Sequence, residues 1–291
     1  MLLMKQYLPT TVVAGKPLDE RALSDVVAFT LTFSIIIVSV SLVSMFAVGS
    51  LVDLAGTQHI QNNDRGTQAV ASTLDEIHRS GDAYRQFDIS PGDGHLFFNR
   101  TNITIESSQV DLRAISGTAN TAEVSIGALE TRFERSDRTV QIAYEGGGVF
   151  RTDYATPRYS PSITCSPDET TIVSLVNLTT DESIYETGVF SNEYAIQPSN
   201  VPDSVPFAPN NEYATFEAEL VDQDRIHRRD PSVDLDIELD VSKTAHPEQW
   251  KQFFENADGW SWNTGDTKGV CENNDDVLIR VVTIELSYPM E

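Results

Sequence analysis

The sequence predicts an α+β fold: a long N-terminal transmembrane helix, then a mainly β, sandwich-like antiparallel domain that carries one short late helix. Three observations predict it. The 27 residues from Val26 to Val52 contain no charged side chain. From about residue 95 onward, apolar and polar residues alternate with the period of a β-strand. A single amphipathic segment near residue 250 has helical spacing.

The uncharged run Val26–Val52 is long enough to cross a lipid bilayer. As a helix it would span about 40 Å, against roughly 30 Å of hydrocarbon. The apolar core of an ordinary secretory signal is shorter, about 7–15 residues. Lys5, Lys16 and Arg21 precede the run, so we expect a single-pass membrane protein with a cytoplasmic N-terminus and an extracellular C-terminal domain.

The charge of the chain is concentrated after the apolar run. The chain has 44 acidic and 20 basic residues, and residues 1–52 carry three of each, so the later residues hold the whole net charge of −24. Such a surface repels phosphate backbones, which argues against nucleic-acid binding. Only five bases are Lys. We interpret this as the surface of a halophilic protein, because at about 1 M salt the Debye length is only roughly 3 Å. An acidic face for a cationic ligand is the alternative.

A short motif, Arg21-Ala22-Leu23-Ser24 followed by Asp25, stands directly before the apolar run. It resembles the class III signal peptide of archaeal type IV pilins and archaellins, and the N-termini of pilin-like membrane proteins of halophilic archaea. The resemblance implies cleavage by a prepilin peptidase between Ala22 and Leu23, with Arg21 as the charged position and Ser24 as the second mature residue. Many haloarchaeal pilins have Pro where this chain has Asp25, which favours a pilin-like anchored protein over a true filament subunit. A plain, uncleaved signal anchor is the alternative.

The predicted organisation is a cytoplasmic leader (1–22), a transmembrane and membrane-proximal helix (23–80) and an acidic β-rich extracellular domain (81–291). Apolar residues spaced i, i+4 and i+7 extend the helix past the membrane: Val70, Leu74 and Ile77. Polar residues are expected on its other faces: Asn62, Asn63, Asp64 and Asp75. The helix is expected to end near Ser80–Gly81, since Gly commonly stops a helix.

Seven segments are predicted to be strands: His95–Ile105, Glu123–Leu129, Thr139–Tyr144, Thr171–Val176, Tyr213–Val221, Val233–Val241 and Val277–Leu286. Three consecutive glycines after Glu145 predict a hairpin turn. In Val233–Val241 the alternation is unbroken, so its apolar residues should face a core and its acids solvent. The late helix is predicted over His246–Ala257, with Trp250, Phe253, Phe254 and Ala257 forming one apolar stripe.

No catalytic pattern emerges from the sequence. It lacks GxSxG, HExxH, GxxxxGK[ST] and GxGxxG. His227 lies among charged residues in a segment that we expect to be a solvated loop. A Ca²⁺ site on the acids of Val233–Val241 is disfavoured, because same-face residues of a strand lie roughly 7 Å apart. We therefore predict a non-enzymatic protein with no catalytic residues, no metal site and no cofactor.

Two further features suit a domain outside the cell. The only two cysteines, Cys165 and Cys271, do not form a CxxC motif. They are candidates for a disulfide that closes a loop of more than a hundred residues. On a chain-entropy account this disulfide would stabilise the fold by about 4–5 kcal/mol. Asn99, Asn102 and Asn177 begin Asn-x-Thr triplets and are candidates for N-glycosylation.

Taken with the resemblance, these features predict a pilin-like cell-envelope protein with a structural, filament-forming or adhesive role. Its expected partners are the lipid bilayer, a prepilin peptidase and other pilin-like subunits or copies of itself. One alternative is a membrane-tethered extracellular module that binds a cation, glycan or protein without polymerising. Another is an anchored extracellular hydrolase, for which no nucleophile and base pair is visible.

Overall fold

The computed structural model of the chain describes residues 20–287, apart from residues 82–83, 93, 116, 136–137, 167–169, 182–203, 208–213, 264 and 266. The chain divides into two compact units, Met1–Ala55 and Gly56–Glu291. Helix α1 (Glu20–Ser80) begins in the first unit and ends in the second. The second unit therefore includes the last turns of α1 as well as all the described strands.

Helix α1 ends where the sequence predicts. Gly81 adopts a positive φ of 69°, and its amide donates a 3.0 Å hydrogen bond to the carbonyl of Ile77, which closes the last turn. Val70, Leu74 and Ile77 are buried, as the spacing predicts. The prediction that Asn63 and Asp64 lie on outer faces is wrong. Both are buried and have polar partners: Asn63 donates to the carbonyl of Ser90 and to Thr131 on β5, and Asp64 accepts from Arg158.

The second unit is mainly β. Its described strands are β1 (Tyr84–Ile89), β2 (His95–Asn99), β3 (Asn102–Glu106), β4 (Thr121–Ser125), β5 (Ala128–Glu134), β6 (Thr139–Glu145), β7 (Gly148–Arg151), β8 (Ile163–Thr164), β9 (Thr170–Thr180), β10 (Ser204–Phe207), β11 (Ala214–Arg229), β12 (Leu235–Asp240), β13 (Ser261–Asn263), β14 (Lys268–Asn274) and β15 (Asp276–Ser287). A second helix, α2 (Pro247–Asn256), follows β12.

These strands form three five-stranded sheets within the described residues. The strand orders are β1-β11-β15-β9-β8, β10-β2-β5-β6-β7 and β13-β14-β12-β3-β4. Pairing is antiparallel throughout except between β9 and β15, which run parallel. Two hydrophobic cores result. The first joins α1 to strands of the first and second sheets. The second joins α2 to strands of the first and third sheets. The predicted sandwich-like, mainly antiparallel architecture is thus confirmed.

Strands β9 and β15 contribute to both cores. In each strand, successive side chains point to opposite faces of the sheet. Val176 and Val282 pack in the first core, while Val173 and Val277 pack in the second. This double burial explains why both strands are rich in Val, Ile and Leu, as strands covered on two faces are.

Two predicted strands are each divided between sheets. The chain turns between β2 and β3, splitting His95–Ile105, and again between β4 and β5, splitting Glu123–Leu129. The two corners are bonded to each other, since the amide of Ile126 donates to the carbonyl of Thr101 at 2.9 Å. Gly127 permits the second corner: its φ is +47°, and a Cβ there would lie 2.2 Å from the carbonyl oxygen of Leu178.

Strand β11 is longer than predicted. The expected strand Tyr213–Val221 continues to Arg229, past an irregularity between Leu220 and Asp222. The segment around His227, predicted to be a solvated loop, is therefore a strand. Its polar side chains gave no alternating signal, yet backbone pairing with β15 holds the segment in a sheet.

The predicted late elements are confirmed in substance. Leu235, Ile237 and Leu239 of β12 are buried, although Val233 lies outside the strand and is 41% exposed. In the turn between β6 and β7, two glycines have positive φ, as a tight hairpin requires. Helix α2 buries Trp250, Phe253 and Phe254 in the second core.

Candidate functional site

The first candidate surface is the apolar part of α1. Val26–Met45 has a mean hydropathy of 2.5, and none of it is buried in the protein. The hydroxyl groups of Thr32, Ser34 and Ser39 donate to carbonyls one turn earlier at 2.7–2.8 Å, so these polar groups are satisfied within the helix. The segment is long and apolar enough to cross a membrane, a property that a signal sequence at this position would share.

The predicted cleavage residues lie at the start of the same helix. α1 begins at Glu20, so Arg21, Ala22, Leu23 and Ser24 occupy its first turns, directly before the apolar segment. Residues 1–19, which form most of the predicted leader, lie outside the described residues.

The second candidate is a group of ion pairs around the buried Asp64, in the part of α1 that belongs to the second unit. Asp64 is 3% exposed, and its carboxylate accepts a 3.0 Å hydrogen bond from Nε of Arg158. Nη1 of Arg151 lies 3.5 Å from the same oxygen. Both guanidinium groups also lie over the ring of Tyr154, at 4.6 and 4.7 Å from its centroid. The side chains of Asp64 and Arg151 are at most 8% exposed, whereas that of Arg158 is 35% exposed. Because buried charges need close partners, Asp64 and Arg151 fix which face of the helix packs against β7.

Near the end of α1 lies a second polar group, in which His78 and Ser174 are buried and Asp75 and Tyr159 are partly buried. The Tyr159 hydroxyl donates to Asp75 at 3.0 Å, and Nε2 of His78 lies 2.7 Å from the hydroxyl oxygen of Ser174 on β9. Burial, together with the positive charge of Arg280, lowers the pKa of His78 below 6.5. At neutral pH this imidazole is therefore uncharged.

A third buried group consists of two carboxylates and an imidazole. Glu130, Glu145 and His246 are at most 4% exposed, and Nε2 of His246 lies 3.3 Å from Glu130. Burial alone raises the pKa of Glu130, but His246 and Arg132 outweigh it and hold that pKa below its ordinary value. Burial raises the pKa of Glu145, even though its carboxylate accepts hydrogen bonds from the Trp250 indole and the Ala245 amide. These contacts anchor α2 to the β5–β6 hairpin.

The acids of β12 are neutralised in part by a lysine. Nζ of Lys268 lies 2.9 Å from a carboxylate oxygen of Glu106 and 3.0 Å from one of Glu238, and these contacts raise the pKa of Lys268. An open cleft of about 270 Å³ lies beside them, lined by Glu106, Ser107, Ser108, Asn120, Thr121, Asp236 and Glu238. In the described part of the chain, no three His, Cys, Asp or Glu side chains gather as ligands for a metal ion.

The remaining predicted site residues lie on different elements. Cys165, just after β8, forms a disulfide with Cys271 on β14, which links the first sheet to the third across the second core. The three candidate glycosylation residues are half-buried. The side-chain amide of Asn99 donates to Glu130, that of Asn102 to Glu123 and that of Asn177 to Thr283.

Sequence reasoning missed the buried ion pairs and the His246 group. The sequence does contain a signal that Asp64 is buried. Asp64 recurs at helical intervals with three other buried residues on the stripe that ends in Leu74: Ile60, Thr67 and Ala71. No local signal marks the His246 group, since its members come from three separated segments.

The described residues define a class: a β-rich protein of three sheets with one N-terminal apolar helix. Residues 21–200, more than half of the chain, match the model of a family of unknown function, DUF7289, and the chain belongs to that family. The match begins at Arg21. No curated protein and no solved structure matches the chain.

Proposed function

We propose that the chain is a pilin-like protein of the cell envelope, held in the bilayer by α1, with a structural, filament-forming or adhesive role and no catalytic activity. One observation carries the proposal. A single uninterrupted helix, Glu20–Ser80, contains the uncharged run Val26–Val52 and ends in a part that belongs to a β-rich unit. A helix of this composition serves both as an anchor in lipid and as a core element of the exposed domain.

The position of the Arg21–Ser24 motif supports the same proposal. A prepilin peptidase that cuts after Ala22 removes the leader and keeps the whole apolar segment, so the mature chain begins within the helix. The family match begins at Arg21, so removal of the leader would leave nearly all of the matched region intact.

The mature N-terminus tests this proposal. We expect protein extracted from the membranes of its native host to begin at Leu23, 22 residues shorter than the full sequence, as measured by intact mass and terminal peptides. Ala22→Phe places a bulky residue before the cut and should preserve the leader. Ala14→Phe, the same change within the leader, should leave processing unaffected. A wild-type protein that begins at Met1 or Met4 would contradict the pilin-like proposal.

The cleft beside Lys268 favours one alternative, a membrane-tethered binding module. Its hydroxyl, amide and carboxylate groups could contact a cation or a polyhydroxyl ligand. Titration calorimetry with Ca²⁺ and with oligosaccharides distinguishes this function. Binding abolished by Glu238→Gln, in a protein that forms no filaments by electron microscopy, would favour the tethered module.

A further inference from the structure

The second half of β11 is an edge strand. β1 pairs with β11 only over Ala214–Glu219, on the side opposite β15. Beyond that point, no described strand or loop forms backbone hydrogen bonds with the outer edge of β11 up to Arg228. A short 3₁₀ helix, Arg113–Ile115, packs close to β11 but forms no backbone hydrogen bond with it. The side chains of this segment are exposed or half-buried. A strand edge that pairs with no other described strand is a template for another strand.

Charged residues usually protect such an edge from pairing. Here, however, an acidic and a basic residue are placed symmetrically about Ile226. Asp224, Ile226 and Arg228 lie opposite Val281, Ile279 and Val277 of β15, all of which belong to the second core. Residues opposite one another in a sheet point to the same face, so these three β11 residues share one face. An acid and a base thus flank Ile226 at equal distances along the strand.

We propose that this edge pairs with the same edge of a second copy of the chain, as an antiparallel strand pair centred on Ile226. A two-fold axis then places Ile226 opposite its own copy. It also places each Asp224 opposite the Arg228 of the other copy, which gives two ion pairs from one contact. Pairing would cover the seven residues from Gln223 to Arg229 and would join the first sheets of the two copies into one.

Other registers are less favourable for the same charges. A parallel, in-register pair would place Asp224 against Asp224 and Arg228 against Arg228. An antiparallel pair centred on Arg225 would place two guanidinium groups face to face. On the opposite face of the proposed pair, Gln223 meets Arg229 and Arg225 meets His227, whose Nε2 lies 2.8 Å from a carboxylate oxygen of Asp276. Within the pairing, no acid opposes an acid.

The side chain at the centre also suits a partner. Ile226 is half-buried: one part of it packs against the second core, and the rest is exposed. Contact with a second Ile226 would cover apolar surface at the middle of the pair, with charged groups on either side. This surface lies wholly in the second unit, so the inference goes beyond the proposed function and holds whether or not the leader is cleaved.

Cysteine cross-linking of the full-length protein in detergent tests the register. Both native cysteines are in a disulfide, so Ile226→Cys introduces a lone thiol. At the centre of the pair, opposite Cα atoms lie about 4.5–5.5 Å apart, within the range of about 4.4–6.8 Å that a disulfide spans. Val221→Cys, on the same strand and 49% exposed, is the control. It lies five residues from the axis, so the two thiols would be roughly 33 Å apart along the strands.

Charge reversal tests the ion pairs. In the Ile226→Cys background, Asp224→Arg or Arg228→Asp should reduce the dimer association constant by about tenfold, because each places two like-charged pairs across the axis. The double variant Asp224→Arg/Arg228→Asp exchanges the charges and should restore dimer formation. Circular dichroism checks that each variant is folded. Cross-linking no greater for Ile226→Cys than for Val221→Cys would overturn the proposal. So would unchanged association after the single reversals, or failure of the folded double variant to recover.

Discussion

Replacing Asp64 with Asn should loosen the C-terminal part of α1, from Gly56 onward, from the rest of the second unit. The change keeps the shape of the side chain and removes its charge. Arg151, whose side chain is 8% exposed, would then lack one of its two carboxylate partners, and Arg158 would face a neutral amide in place of the Asp64 carboxylate. Removal of one member of a buried ion pair typically costs about 3–5 kcal/mol. We expect about 3 kcal/mol, the low end, because Asp153 remains 2.6 Å from Nε of Arg151.

Urea unfolding of the detergent-extracted, full-length protein measures this loss. All three Trp residues lie in the second unit, so their fluorescence reports its unfolding. The midpoint should fall with little change in the slope, which would indicate a lower stability of the same folded state. Asp111→Asn is the matched control. Asp111 pairs with Arg113, both side chains are more than 60% exposed, and the expected loss is under about 1 kcal/mol. Equal losses in the two variants would refute the assigned role of the buried pair.

Three other changes probe the rest of the fold. Burial holds the pKa of His78 in the folded protein below 6.5. As the pH is lowered through 6.5, His78 therefore binds a proton in the unfolded chain before it does in the folded chain. The free energy of unfolding should fall through this pH range and below it. His78→Gln should flatten this part of the stability curve, and superimposable curves for variant and wild type would contradict the assignment. Cys165→Ala/Cys271→Ala removes a link between residues 106 apart and should lower the free energy of unfolding by about 5 kcal/mol on a chain-entropy account. A difference below about 1 kcal/mol in chemical denaturation would contradict that account. Trp250→Ala empties a fully buried site and removes the indole donor to Glu145, so thermal and urea unfolding should show a loss of about 3–5 kcal/mol, and a loss no larger than that of a surface substitution would contradict it.

The sequence predicts well those elements whose burial is periodic. Val70, Leu74 and Ile77 mark the buried stripe of α1, and Leu235, Ile237 and Leu239 mark the inner face of β12, because each set follows the repeat of its own secondary structure. The glycine pair before β7 identifies its hairpin for an equally local reason: only a residue without a Cβ adopts both positive φ angles at little cost.

Features that depend on distant segments were not predictable in this way. Gln223–Arg229 has the composition of a loop, and only its pairing with β15 makes it a strand. Asp64 has the polarity of a surface residue, and only Arg151 and Arg158, about ninety residues later, make its burial tolerable. The change of sheet between β2 and β3 depends likewise on the corner formed by Ile126 and Gly127.

Labelling of lysines on intact cells tests most directly whether the apolar segment lies in lipid with the acidic domain outside. The five lysines fall on both sides of that segment: Lys5 and Lys16 before it, and Lys243, Lys251 and Lys268 after it. A membrane-impermeant amine reagent, followed by peptide mass spectrometry, should modify Lys243, whose side chain is 59% exposed. Lys5 and Lys16 should be absent with the leader, or modified only after the cells are lysed. Modification of Lys5 and Lys16 with protection of Lys243, or recovery of the chain from the cytosol without detergent, would contradict the account.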